Sequence, residues 1–315
     1  MWWESKSQYV LVHPETRTVM AQDWARYAFP VPRISVMIDA FPDGEPNILV
    51  PDLHKMTGRN VVYLADWSSP AARYCDMCVL TALAERAPSC LTIVVPFMGS
   101  ATMERETAEG VIATANIDAK LLSQLPCGNK RVVTVDLHTM QNQFFFYNTA
   151  VALKSCMPTQ RKFFELEASD PVVFVFPDDG AHKRFASYFA GAKVAVCAKV
   201  RDGDARHVRL VEGEVAGCRA VIIDDLVRSG GTLIECAKVL KAAGASSIEA
   251  FVPHACFPKQ EYRRFVGDGD GAKLFSAFTI TDSVVATVRW SMEPEFRDKF
   301  RVLALGRLLG EMALQ

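Results

Sequence analysis

The chain has 315 residues, half of them hydrophobic and 23% charged, which excludes disordered, collagenous and fibrous classes and suits two globular domains. Its 35 basic and 36 acidic side chains nearly cancel, so no global field draws it to nucleic acid or to an anionic membrane, and any polyanion site must be local. No apolar run reaches the roughly 18 residues that span a bilayer, and MWWESKSQYV lacks a basic stretch leading into an apolar core, so the expectation is a cytoplasmic protein with neither nucleic acid nor membrane as partner.

In chain order, short Val- and Ile-rich runs predict strands over 61–64, 91–96, 131–135, 172–176, 194–198, 220–223 and 248–252. Between them, apolar residues at intervals of three and four predict helices over 108–125 and 233–243, the second stopped by Gly244. This alternation is the pattern of a mostly parallel sheet crossed by helices, an α/β protein. The stretch 300–315 sets Leu303, Leu305, Leu308, Leu309 and Met312 along a helical stripe, predicting a last helix that docks on the N-terminal domain. KSCMPTQR at 154–161 interrupts the periodicity and divides the chain into domains 1–155 and 156–315. The strand ends VVTVD at 132–136 and VIIDD at 221–225 read as counterparts in two similar halves.

The nine cysteines are scattered and odd in number, in a chain too long to need disulfide staples, so reduced thiols are expected. Cys75 and Cys78 form C-x-x-C, but no second pair exists for zinc, and the helical flanks lack the strand that precedes a redox motif.

The strongest local signal is VIIDDLVRSGGTLIECAKVL at 221–240, a strand, two aspartates, a small-residue turn and a helix. At Ser229, Gly230 and Gly231 the backbone can approach a ligand closely, and the amides opening the helix face an anion. A helix N-terminus alone contributes only about 0.3 to 1 kcal/mol, or roughly 2 when partly buried, so several amides and the Thr232 hydroxyl must converge. Asp224 and Asp225 precede the turn, where carboxylates can accept hydrogen bonds from two vicinal sugar hydroxyls. Together they describe a clamp for ribose 5-phosphate. An isolated turn of this kind commonly only ends a strand and caps a helix. The turn also lacks the glycine spacing and Lys-Ser/Thr ending of a mononucleotide P-loop.

Asp136 and His138 sit two apart at a strand end, so continued extended geometry would turn both side chains to one side as a shared magnesium or triphosphate site. Magnesium prefers oxygen to imidazole, which favours Asp136 for direct ligation.

The 221–240 segment resembles the phosphoribosyl pyrophosphate motif shared by phosphoribosyltransferases and ribose-phosphate diphosphokinases. FPDGEPNI, TVDLHTMQNQFFF, FPDDGAHKRF and AKVRDGDARHVRL resemble diphosphokinase motifs in the diphosphokinase order, and DDLVRSGGTLIEC and FMGSATMERETAEG are most similar to the plant-type class. The likeness covers roughly residues 41–265. It implies two domains of the type I phosphoribosyltransferase fold, each a mostly parallel sheet flanked by helices. It also implies magnesium-dependent transfer of the diphosphoryl group of ATP to ribose 5-phosphate, in homo-oligomers built from dimers whose neighbouring subunit helps bind the nucleotide.

The same resemblance assigns roles. Lys199 and Arg201 match the paired cations of the family's catalytic loop, with 202–207 as the loop that orders over substrate. Asp178 matches an aspartate near the ribose and metal, while Asp179 is read as a cap of the following helix and Lys183 and Arg184 as partners of site carboxylates or phosphate. Phe41, Asp43 and Glu45 match the adenine-contacting stretch, and His138 becomes a nucleotide-site residue. The sequence departs from the commoner enzymes at 99–106, where Glu104 and Arg105 are the nucleotide candidates. Arg228 replaces an aspartate in the turn and is available to phosphate, and Tyr147 replaces another. Plant-type likeness implies weak donor discrimination and no need of phosphate activation. Two alternatives stand beside this reading: a non-catalytic regulatory homologue, whose catalytic loop should be eroded, and a base-using phosphoribosyltransferase.

Overall fold

The computed structural model describes residues 8–27, 31–167, 170–202 and 205–312, with the backbone alone at 201, 202, 205–207, 311 and 312. The chain divides into two compact units, Met1–Lys154 with Ala304–Gln315, and Ser155–Leu303.

The first unit runs β1 (Tyr9–Pro14), α1 (Thr18–Tyr27), β2 (Arg33–Ala40), β3 (Pro46–Leu49), β4 (Asn60–Leu64), α2 (Pro70–Ala84), β5 (Cys90–Val95), α3 (Thr114–Ser123), β6 (Lys130–Val135) and β7 (Ala150–Lys154). The second runs α4 (Met157–Leu166), β8 (Val172–Phe176), α5 (Asp179–Phe185), β9 (Val194–Asp202), β10 (Ala205–Glu212), β11 (Arg219–Ile223), β12 (Leu226–Val227), α6 (Gly231–Ala242), β13 (Ser247–Val252), β14 (His254–Ala255), β15 (Ala277–Thr281), α7 (Val285–Ser291) and β16 (Phe300–Leu303). The chain then returns to the first unit as α8 (Gly306–Met312).

Each unit is built on one seven-stranded sheet, ordered β3-β2-β1-β4-β5-β6-β7 in the first and β10-β9-β8-β11-β13-β15-β16 in the second. All neighbours are parallel except the edge hairpins β2–β3 and β9–β10. The inner strands are buried on both faces, which is why they read as unbroken Val and Ile runs. Open sheets of this kind bind ligands beyond the carboxyl ends of their strands.

The two sheets share one topology, but the counterparts differ from those expected. VIIDD ends β11, whose equivalent by strand order is β4, followed by Asp66; VVTVD ends β6, whose equivalent is β15, followed by Asp282. A hydrophobic run followed by aspartate recurs at β4, β6, β8, β11 and β15 and does not by itself fix a register between halves.

Two other expectations change. The predicted helix 108–125 is helical only over Thr114–Ser123. The predicted helix 300–315 is split: Phe300–Leu303 pairs in parallel with β15, and only Gly306–Met312 is helical. Leu305 and Leu309 are fully buried, and α8 comes so close to α1 that a Cβ at Gly306 would lie 2.5 Å from the Met20 carbonyl oxygen. Gly306→Ala is expected to lower the thermal midpoint by several degrees, measured by calorimetry; an unchanged midpoint would refute this close approach.

Beneath the turn after β4, the Tyr63 hydroxyl donates to Asp76 Oδ1 (2.5 Å) and the Asp66 amide donates to Oδ2 (2.6 Å). Burial pushes the Asp76 carboxyl up to about 7, against the opposing pull of these hydrogen bonds. The native state therefore holds a proton that the unfolded chain has lost between pH ~4 and 7, so stability falls as pH rises through this window. Asp76→Asn is expected to flatten that part of the stability profile in urea titrations, and parallel profiles for the two proteins would contradict the assignment.

Candidate active site

In the second unit the carboxyl ends of neighbouring strands β8 and β11 bring three carboxylates together. Asp178 caps α5, its half-buried side chain accepting from the Ala181 amide at 2.9 Å. Asp224 follows β11, and its Oδ1 accepts from the Asp225 amide at 2.9 Å. Burial, then the adjacent charge of Asp225 and that of Asp178, holds the Asp224 carboxyl well above its usual range. Asp225 is buried, and its Oδ1 lies 2.7 Å from Arg184 Nη2. Of the two basic residues on α5, Arg184 meets a site carboxylate, whereas Lys183 pairs with exposed Asp179 one helical turn back. The capping role expected of Asp179 therefore belongs to Asp178, whose extended backbone lets the carboxylate reach the first-turn amides.

Between the aspartates and the turn, β12 pairs with β14 and holds the segment extended. Gly230 then takes φ +75°, in the left-handed region, and a Cβ there would lie 2.5 Å from the Phe265 ring. Glycine is required on both counts. Gly231 opens α6, with the Gly231 amide 3.5 Å from the Ser229 hydroxyl; Ser229 and Arg228 are exposed and Thr232 is half-buried.

Lys199 lies on β9, two strands from β11, and is exposed. Phe176, the last residue of β8, is level with Val196, so the ribbon β9–β10 runs past the carboxyl edge of the sheet, roughly 10 Å on at Lys199. Residues two apart on a strand share a face. Lys199 is thus on the face of Cys197, whose Sγ is 3.5 Å from Cys236 Sγ on α6, the helix that the glycine turn opens. Residues 202–207 were expected to be a loop; the described backbone continues instead as an antiparallel ribbon, Ala205 opposite Asp202, while 203 and 204 lie outside the described residues. Arg201 is paired with Arg206 through the backbone, and its side chain is outside the description.

In the first unit the remaining candidates also sit at a carboxyl edge. β6 ends at Val135, and Asp136 turns to φ +40°, so the extended geometry expected through His138 stops there. Asp136 is buried and His138 half-buried. Asn142 Nδ2 donates to the Ala101 carbonyl at 2.9 Å, tying the turn after β6 to the segment bearing Glu104 and Arg105, which lie 3.6 Å apart as an ion pair. The β2–β3 turn is closed by Phe41 N–H to the Glu45 carbonyl (2.8 Å) and by Asp43 accepting from the Glu45 amide (3.2 Å), with the Phe41 ring half exposed. Four strand spacings, roughly 19 Å, separate β2 from β6, so one chain does not gather Phe41, Asp43 and Glu45 around His138. Among the described residues no three His, Cys, Asp or Glu side chains form a metal cluster.

Residues 177–267, which span Asp178, the ribbon and the turn, match the family model of the phosphoribosyl transferase domain. The chain is 41% identical to "Ribose-phosphate pyrophosphokinase 4" of Arabidopsis thaliana over 79% of its length and 76% of that protein. The chain belongs to the ribose-phosphate pyrophosphokinase family. It is accordingly an enzyme of the diphosphotransferase class, similar to the plant types. To "Ribose-phosphate pyrophosphokinase 3, mitochondrial" of Spinacia oleracea it is 38% identical over 96% of this chain and 75% of that one. The phosphoribosylpyrophosphate synthetase structure from Mycobacterium smegmatis superposes with TM-score 0.80 at 20% identity, covering 98% of each chain, and shows the two-domain type I phosphoribosyltransferase fold.

The candidate site has one support that sequence reasoning missed. Arg264 Nη1 donates to the Ser229 carbonyl at 2.6 Å, behind the glycine turn. Nothing in YRRF marks which arginine reaches the turn, since the contact joins residues 35 apart. For the pair that reasoning did anticipate, Arg184→Met would leave Asp225 buried beside Asp224 without its guanidinium, a loss of about 3–5 kcal/mol. The expected result is a lower urea midpoint, largely recovered by adding Asp225→Asn; a single variant as stable as wild type would contradict the pairing.

Proposed function

We propose that the protein transfers the diphosphoryl group of ATP, with magnesium, to the C1 hydroxyl of ribose 5-phosphate, giving phosphoribosyl pyrophosphate and AMP. The observation that carries this reading is the convergence at one sheet edge of the second unit: the glycine turn, Asp178 and Asp224 with Asp225 behind them, and Lys199 on the projecting ribbon.

The turn binds the 5-phosphate through the amides of Gly230 and Gly231 and the Ser229 and Thr232 hydroxyls, with Arg228 beside it. Asp224 accepts from the ribose hydroxyls, and Asp225, locked to Arg184, holds the pair in place. The C1 hydroxyl attacks the β-phosphorus and AMP leaves. Lys199, with Arg201, meets the charge that develops on the transferred group. Phe41, Asp43 and Glu45 take the adenine of a neighbouring subunit's site, a division supported by the strand spacings that part them from Glu104, Arg105 and His138. The exposed Met37, Phe41 and Leu49 on that hairpin support a homo-oligomer built from dimers.

Asp178, Asp224 and Asp225 meet at adjacent strand ends with Arg184 paired to Asp225, and the remaining carboxylates suit a divalent cation. Asp178 in the second unit and, separately, Asp136 with His138 in the first are the residues that would hold magnesium. One or two carboxylates would suffice to hold it, and it would supply positive charge to the phosphates. Cytoplasmic action is part of the proposal and rests on nine free thiols, which suit a reducing compartment. Among the described residues no helix is long and apolar enough to cross a membrane.

AMP formation should require both ribose 5-phosphate and magnesium. Lys199→Ala is expected to lower kcat about a hundredfold or more with folding intact, the scale of one lost transition-state donor. Near-normal turnover would refute the role of Lys199, and nucleotide binding without any AMP would favour the regulatory-homologue reading.

A further inference from the structure

The glycine turn is braced at the Ser229 carbonyl by a residue distant in the chain. Arg264 lies in the short helical turn Glu261–Phe265, rooted by Phe265, which is fully buried with ring centroids 5.0 Å from Phe278 and 5.4 Å from Phe275. The Arg264 guanidinium is oriented by Asp270, with Nε 3.0 Å from Oδ1 and Nη2 2.5 Å from Oδ2, while the Gly271 amide donates to the Arg264 carbonyl at 2.9 Å. So fixed, Nη1 donates to the Ser229 carbonyl.

A trans peptide carries its C=O and N–H in opposite directions, and no cis bond occurs in the described chain. A Ser229 carbonyl held toward Arg264 therefore turns the Gly230 N–H the other way, out of the bracing layer. Gly230 is itself buried, and its N–H makes no hydrogen bond among the described residues. A buried donor without a partner is costly, and an anion in the turn satisfies it.

We propose that Arg264, oriented by Asp270, is a positioning residue that sets the Ser229–Gly230 peptide so that the Gly230 amide meets the 5-phosphate of the sugar. The proposal rests on the reading of the turn as the sugar-phosphate site. A guanidinium is needed because its planar fork grips Asp270 with two nitrogens and leaves a third for the carbonyl, which an ammonium cannot do.

The test is steady-state kinetics of the full chain as wild type, Arg264→Met, Arg264→Lys and Asp270→Asn, with folding checked by circular dichroism. Arg264→Met is expected to raise KM for ribose 5-phosphate about tenfold or more, the scale of one charge-assisted hydrogen bond, while KM for ATP and kcat change far less. Arg264→Lys should recover only part of the loss, and Asp270→Asn should raise the same KM by a smaller factor. A wild-type KM for ribose 5-phosphate in Arg264→Met, or a loss confined to kcat, overturns the proposal. If Arg264→Met does not fold, Asp270→Asn decides by the same criterion. If the wild type itself makes no AMP, the function reading has failed. Titration with inorganic phosphate then judges Arg264: weaker binding in the variants supports its role, and equal binding overturns it.

Discussion

Everything in the second unit is arranged around an excess of negative charge. Asp178, Asp224 and Asp225 are brought to adjacent strand ends, and Arg184 is the cation that pairs with the deepest of them at 2.7 Å. That pairing holds Asp225 in place. It leaves Asp224 half-buried, with its carboxyl pushed up by burial and by its acidic neighbours. Such a group is poised to gain from hydroxyl donors or a cation, which is a reason for an acidic cluster to survive beside an anion-binding turn.

The repeated sheet explains where groups that reach beyond the sheet body can be placed. In each unit the second and third strands form an antiparallel hairpin at one edge, β2–β3 carrying Phe41 at its turn and β9–β10 carrying Lys199. An edge ribbon can run beyond the body of a sheet without disturbing the inner strands, whose hydrogen bonds are made on both sides. The same topology thus supplies an aromatic reach in one unit and a cationic reach in the other.

Much of this was legible in the sequence because the signals were local. All seven predicted strands are present, since strands buried on both faces leave unbroken apolar runs, and Ser229, Gly230 and Gly231 marked the small-residue turn that opens α6. The errors arose where a local pattern had two readings. Leu303 and Leu305 fit a helical stripe, yet 300–303 adds a strand to one unit and α8 packs on the other. Asp136 and His138 are spaced for a common face, but the backbone turns at Asp136. Asp179 looked like the cap because it stands nearer the helix, and Asp178 holds the extended backbone a cap needs. Arg264 could not be read at all, since its value lies in a carbonyl distant in the chain.

The claim beneath the rest is that the backbone at the glycine turn grips a sugar phosphate. Amide spectra of [15N]glycine-labelled protein test it directly, with the Gly230 signal identified by [13C]carbonyl-serine labelling, since Ser229–Gly230 is the one Ser-Gly pair in the sequence. Ribose 5-phosphate alone is expected to shift the Gly230 and Gly231 amides saturably, and unphosphorylated ribose to leave them in place. Amides indifferent to ribose 5-phosphate but moved by ATP would contradict the account.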